Sequence, residues 1–270
     1  MEEQLLWITR QVNQLLGGPA LALLDWLHIQ PQSREYPIPN HVAMELVVLL
    51  ISVVFFLWLK RRISVDRPGG SQQCMEMLLT NPMGVGAQDL LKGIVGHHAE
   101  RYLPMIGTIG IFILFSNLIS LVPQFSSPTA QVSVPLGCAV VVFFYYNWCG
   151  FREHGPLDYG KHFLGPVWYL AWLMLPIELL SHLARLLSLT VRLWVNMLVS
   201  ELLYSIFLGL TVALYVFASG VNILFRATGV IPLLVPIIFM GLHVFVAVLQ
   251  AFVFTLLPVV YVGGAVAEEH

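Results

Sequence analysis

Long apolar stretches dominate the chain, and each is closed by charges, prolines or glycines. A helix that crosses a bilayer needs about 20 mostly apolar residues. Val42 to Leu59 meets this, interrupted only by Glu45 and Ser52, and it stops at Lys60-Arg61-Arg62. Pro68-Gly69-Gly70 then breaks the chain. A second span is predicted over about 104–122, followed by a turn from Pro123 to Pro128. A third covers about 132–149, with a polar loop from Gly150 to Lys161. Residues 71–98 mix Gln72, Gln73, Glu76, Asp89 and Lys92 with Met, Leu and Val, which predicts a pair of amphipathic surface helices rather than a span. Met1 to Ile29 is apolar in character but opens with Glu2 and Glu3 and contains Asp25. It has no basic start, no unbroken apolar core and no small-residue cleavage site, so it does not read as a secretory signal. The pattern therefore divides the chain into an extramembrane or interfacial segment, 1–39, ending in a connector with Pro31, Pro37 and Pro39, and a single membrane domain, 40–270.

The last two apolar stretches are too long for upright spans. From Val167 to Ala218 the chain is apolar for roughly 50 residues, and from Ile177 to Leu208 it contains neither Gly nor Pro. A hairpin of two short spans needs turn chemistry, and none is present. At 1.5 Å per residue, 40 of these residues make a helix of about 60 Å, twice the roughly 30 Å hydrocarbon core. One strongly tilted helix over 167–218 is predicted, and a second tilted one over 231–262.

Composition agrees. Of 270 residues, 58% are hydrophobic and only 10% charged, where soluble domains carry about 25%. This excludes a water-soluble enzyme, a nucleic-acid-binding protein and a disordered chain. Thirteen Lys and Arg against fifteen Asp and Glu leave no basic footprint for nucleic acid. Cys74, Cys138 and Cys149 are too few and too scattered for a disulfide framework or a zinc site, so no metal or cofactor is expected. The class is an all-α polytopic membrane protein with about five crossings. Five crossings put Lys60, Arg61, Arg62, Arg67, Lys92, Arg101, Arg152 and Lys161 on one side, and Arg10, Arg34 and Arg226 on the other. Under the positive-inside rule the C-terminus is then cytoplasmic and the N-terminus outside. No internal repeat is visible, which weighs against an inverted-repeat transporter.

Ionisable residues inside a span cost at least about 2.5–3.5 kcal/mol each at mid-bilayer, so those of the long helix need a reason. Glu178, Arg185 and Arg192 are spaced by sevens along one stripe, and Asn196 extends it at i+4. Glu201, nine residues past Arg192, points to the opposite side. Along the axis Glu178 lies about 21 Å before Arg192 and Glu201 about 13 Å after it. A fixed positive charge thus has one carboxylate toward each membrane face, the layout of two separate aqueous half-paths. Plainer roles exist for each residue. Arg185 can reach the headgroups or pair with Glu178 through water, Arg192 can pair with Glu201, and Asn196 can serve only helix packing. On the last helix His243 and Gln250 are again seven apart. An isolated histidine on an apolar face is commonly structural. Opposite a helix bearing Glu201, His243 becomes a candidate proton-relay partner, since histidine titrates near neutral pH.

These residues resemble a known family. Ser188-Leu-Thr-Val-Arg192-Leu-Trp-Val-Asn196-Met is similar to the arginine motif of subunit a of F-type ATP synthase. The run from His243 through Gln250-Ala-Phe-Val-Phe-Thr255 to Leu257, then Tyr261 and the tail Glu268-Glu269-His270, resembles the C-terminal helix of that subunit in bacterial and plastid forms. Phe115-Ser-Asn117-Leu and Ser127-Pro-Thr129-Ala fit its middle region, so the resemblance covers about residues 35–270. Two positions depart from the pattern: Ser120 stands where an acidic residue is frequent, and Pro258 where a non-proline is common.

The resemblance implies a stator subunit of the Fo sector in a cell inner membrane, in which proton flow through two half-channels turns a rotor. Arg192 would face the carboxylates of the c-subunit ring. Asn196, Glu201, His243 and Gln250 would belong to the outer half-channel, and Glu178 and Ser181 to the cytoplasmic one. The implied partners are the c-subunit ring, the b-subunit peripheral stalk, the F1 head reached through that stalk, and the lipid bilayer. The chain carries no Gly-x-x-x-x-Gly-Lys-Ser/Thr loop, so nucleotide chemistry is expected elsewhere and the chain is not an enzyme by itself. The rival readings are a secondary transporter holding an anion with Arg192 and Glu201, and a structural scaffold. The first lacks repeats and mid-membrane helix breaks, and the second leaves the charges without a purpose.

Overall fold

A computed structural model describes residues 6–31, 33–64, 68–79, 87–95, 100–122, 125–155, 171–219 and 230–266. Every regular element among them is helical: α1 Trp7–Trp26, α2 Asn40–Arg62, α3 Gly70–Leu79, α4 Ala87–Val95, α5 Leu103–Leu118, α6 Ser133–His154, α7 Ala171–Ser219 and α8 Val230–Val266. Short 3₁₀ turns at Ile119–Leu121 and Pro128–Ala130 link α5 to α6. Five helices, α2 and α5 to α8, are long and apolar enough to cross a membrane, and the chain is an all-α polytopic membrane protein.

The over-long apolar stretch is one helix. Absence of Gly and Pro between Ile177 and Leu208 leaves nothing to break the i→i−4 ladder, and α7 runs unbroken for 49 residues, about 74 Å at 1.5 Å per residue. That excludes a hairpin around Arg192. α8 runs for 37 residues straight through Pro236 and Pro258, so the proline at 258 is absorbed inside the helix rather than ending it. One expectation needs correcting. Gly150 does not open a loop: α6 continues through Gly150-Phe-Arg-Glu-His154 and stops at Gly155, whose φ of 79° takes the left-handed region. The remainder of the expected loop, 156–161, lies outside the described residues, as do 167–170 at the start of the fourth predicted span and the tail Glu268-Glu269-His270.

The predicted helix pair in 71–98 is present as α3 and α4, and α4 buries Leu91 in the main apolar cluster against α5 and α8. The N-terminal segment folds back on the membrane domain. Asn13 of α1 accepts the Ile38 N–H and donates to the Ile38 carbonyl, both at 3.0 Å, and Asn40 Oδ1 caps the Leu6 amide at 3.3 Å. Cys138 and Cys149 are free thiols among apolar neighbours.

α8 is the central element, packing on α4, α5, α6 and α7. Where it crosses α5, a Cβ at Gly110 would collide with Thr255 Oγ1, so a larger residue there would force that side chain to shift. α7 is the most open element: 6% of its most apolar window is buried, against 39% for α6. Leu180, Leu187, Val191, Val199, Leu202 and Ile206 all stay exposed. A face this apolar does not meet water, and it is left for lipid or another subunit.

Candidate functional site

The polar residues of α7 and α8 sort into two groups at opposite ends of the bundle, with Arg192 between them. One group lies where α5 ends and α8 begins. His243 of α8 is 4% exposed and clamped by two hydroxyls, Ser120 Oγ at 2.8 Å from Nε2 and Ser200 Oγ at 2.7 Å from Nδ1. Ser120, the position where an acid was anticipated from the family pattern, therefore still supplies the group that meets the histidine. Half-buried Glu201 joins His243, Ser120, Leu121, Tyr204 and Met240 around a small cleft with room for about one water. The helical geometry that turns Glu201 away from Arg192 thus turns it toward α8.

Beneath this cleft the chain leaves helical structure, and side chains satisfy its backbone. Asn117, fully buried, donates from Nδ2 to the Ala247 carbonyl at 3.4 Å and accepts from Thr129 Oγ1 at 2.6 Å. Ser127 Oγ bonds to Ser116 O at 2.9 Å and to Thr129 Oγ1 at 2.6 Å. Trp194 Nε1 donates to the Ala130 carbonyl at 2.9 Å, tying α7 to the turn. Irregular backbone at membrane depth survives only where it is buried in protein or lines a cavity, and Ser127, Pro128 and Thr129 are buried.

Arg192 stands on the open face of α7. Among the described residues its hydrogen bond is one long contact to Ser188 Oγ at 3.5 Å. Among the described residues it forms no ion pair with Glu201, which removes the plain alternative of an internal pair. One turn on, Asn196 Nδ2 donates to Gln250 Oε1 at 3.1 Å. Gln250 is completely buried, and among the described residues its Nε2 has no partner.

The other group lies where α6 and α8 finish. Glu178 Oε1 lies 3.4 Å from His182 Nε2. His182 Nδ1 meets Tyr146 Oη of α6. The Arg185 guanidinium sits 5.5 Å over the Tyr261 ring rather than reaching out. Ser181 is half-buried beside Glu178. His182, Tyr146, Ser200 and Tyr204 were not picked out as site residues from sequence. For His182 the signal was there, since it lies one helical turn from Glu178. Among the described residues no group of His, Cys, Asp and Glu could hold a metal ion.

Comparison with known proteins bears on what this arrangement serves. The family model for the ATP synthase A chain matches residues 42–263. The chain belongs to the ATP synthase A chain family. It is 40% identical over 265 residues to ATP synthase subunit a of Koribacter versatilis, covering 98% of each chain. It is 44% identical over 258 residues to ATP synthase subunit a of Solibacter usitatus, covering 96% of this chain and 99% of the relative. Membership places this member of the ATP synthase A chain family in a membrane, in proton transport and ATP synthesis. The family match spans all five membrane-length helices and leaves α1 outside it.

Proposed function

We propose that this chain is the Fo stator that guides protons to and from the c-subunit ring through two aqueous half-channels kept apart by Arg192. One observation carries the reading: an arginine exposed on an apolar, membrane-length helix face whose hydrogen bond among the described residues is one long contact to Ser188. A guanidinium facing hydrocarbon alone is prohibitively costly, so that face calls for an anionic partner from outside the chain. A rotor carboxylate is such a partner. In lipid that carboxyl must be protonated; facing Arg192 it is favoured as the anion. Arginine keeps its charge and passes no proton itself. It therefore forces release into one half-channel and blocks direct leakage between the two.

In this reading Glu201, His243, Gln250 and Asn196 serve the outer path, and Glu178 and Ser181 the cytoplasmic one. The separation of the two polar groups along α7, on either side of Arg192, supports it, as does the small cleft at Glu201 and His243. Each proton crossing about 100 mV releases roughly 2.3 kcal/mol, which biases rotation. The b-subunit stalk holds the stator against the F1 head, where the nucleotide chemistry takes place; this chain itself is non-catalytic. The N-terminus lies outside a cell inner membrane and the C-terminus in the cytoplasm.

Accessibility in intact cells tests path and orientation together. In a background with Cys74, Cys138 and Cys149 replaced by alanine, Glu201→Cys and His243→Cys should both react with silver ions or small thiol reagents added outside. A tag placed after His270 should stay hidden until the cells are permeabilised. Protection of both cysteines, or a tag reached from outside, overturns the assignment.

A further inference from the structure

His182 lies at the Glu178 end of the bundle and is only 6% exposed. Among the described residues its surroundings come from three helices. α7 contributes Glu178 and Arg185, α6 contributes Tyr146 and Phe143, and α8 contributes Tyr261. The Tyr146 ring stacks on the imidazole with centroids 5.7 Å apart and planes 14° apart. Tyr146 also leans on Tyr261 at 5.7 Å, the ring that carries the Arg185 guanidinium. The stacking places Tyr146 Oη at Nδ1, while Nε2 points along α7 to Glu178 Oε1.

A neutral imidazole carries one ring proton, and the partners of its two nitrogens decide where it resides. A phenol has an O–H to donate, whereas a carboxylate can only accept. Both contacts are satisfied together when Nδ1 is the acceptor and Nε2 carries the hydrogen. The line from Tyr146 to His182 to Glu178 therefore has a direction, with a hydrogen-bond donor presented to the carboxylate at its end.

We propose that His182 is a positioning residue for Glu178, with Tyr146 fixing the tautomer that makes it one. The Nε2–H holds the Glu178 carboxylate in a single orientation on α7, toward the path it serves. This rests on the reading of Glu178 as a cytoplasmic half-channel group. Partners that fix a histidine's tautomer in this way set the orientation of the group beyond it.

The test is ATP-driven proton pumping by the assembled ATP synthase in inverted membrane vesicles, with the amount of assembled complex measured in parallel. Tyr146→Phe removes one oxygen and keeps the stacking ring; His182→Phe keeps an aromatic ring and removes the donor. Both should slow pumping roughly tenfold per assembled complex, the scale of one hydrogen bond to a charged group. His182→Gln, which retains an N–H, should return the rate to within about twofold of wild type. In a Glu178→Gln background, adding Tyr146→Phe should cause no further loss, because the group being positioned is gone. Wild-type pumping by Tyr146→Phe alongside slow Glu178→Gln overturns the positioning role and leaves the reading of Glu178 standing. Wild-type pumping by Glu178→Gln removes that reading and the inference with it. Equal losses in His182→Gln and His182→Phe that track lost assembly would make His182 a packing residue only. Should His182→Phe fail to assemble, Tyr146→Phe alone decides.

Discussion

Arg192→Lys is expected to abolish ATP-driven proton pumping, a loss of more than about 100-fold, while the complex still assembles. Charge is nominally kept, so the effect isolates what a guanidinium supplies and an ammonium does not. Arg192 stands on the open face of α7 with one long contact to Ser188, so its planar fork is free to engage a carboxylate from another subunit with two parallel N–H bonds. Lysine lacks the fork. It also sheds its proton when desolvated, whereas arginine does not. A neutral lysine neither discharges the arriving rotor group nor blocks a leak between the paths. Inverted vesicles energised with ATP, with acidification followed by quenching of a fluorescent amine, give the readout. Pumping above about a tenth of the wild-type rate would sink the idea. The core should not notice the change, because the residue is exposed and fills no internal space: the buried residues of this stretch, Leu189, Leu193 and Met197, centre about 100° round the helix from it.

Asn117→Leu should have the largest effect on the fold itself, about 2–4 kcal/mol of destabilisation. Leucine keeps the branching of asparagine and is larger, so no cavity opens. What is lost is the Nδ2 bond to the Ala247 carbonyl and the acceptor for Thr129 Oγ1. The Thr129 hydroxyl is fully buried and would turn to its remaining partner, the Ser127 oxygen, which accepts while its own proton serves Ser116 O. Each buried hydrogen bond lost costs about 0.5–1.5 kcal/mol, and fitting the larger leucine adds about 1–3 kcal/mol. The turn at Pro128–Ala130 would loosen, and with it the Trp194 tether to α7. Heating the detergent-solubilised complex and measuring how much survives should show a midpoint about 5 °C or more below wild type. An unchanged midpoint would mean that the buried polar network adds nothing to the fold. Pumping by the unheated variant should fall less than in Arg192→Lys, because no group of the proposed path is removed.

Apolar length and charge placement made most of the architecture legible. The five spans follow from transfer free energy, which depends on composition over about 20 residues and hardly on tertiary context. The unbroken α7 follows from the missing turn residues between Ile177 and Leu208, because a backbone reversal in hydrocarbon needs groups that can satisfy it. Where the reading slipped, at Gly150, a glycine inside a helix was taken for its end. The glycine that does end α6 is Gly155, where a positive φ is required. Glycine tolerates both settings, and the sequence alone does not separate them.

The ionisable residues of the site were also open to sequence, since isolated charges in apolar helices carry a cost that singles them out. Arg192, Glu178, Glu201, His243 and Gln250 needed only helical arithmetic to be sorted onto stripes. Their partners did not follow from that arithmetic. Ser120 reaches His243 across 123 positions of sequence, Gln250 meets Asn196 across 54, and Tyr146 meets His182 across 36. Serines and tyrosines carry little transfer penalty, so nothing in the hydropathy pattern marks them out. Whether they act depends on which helix faces meet, at what depth and at what crossing. Those choices are made by side-chain packing between elements distant in sequence, the Gly110 approach to Thr255 among them. Periodicity thus determined which residues must find a polar partner, and only the packed bundle decided which partner each one found.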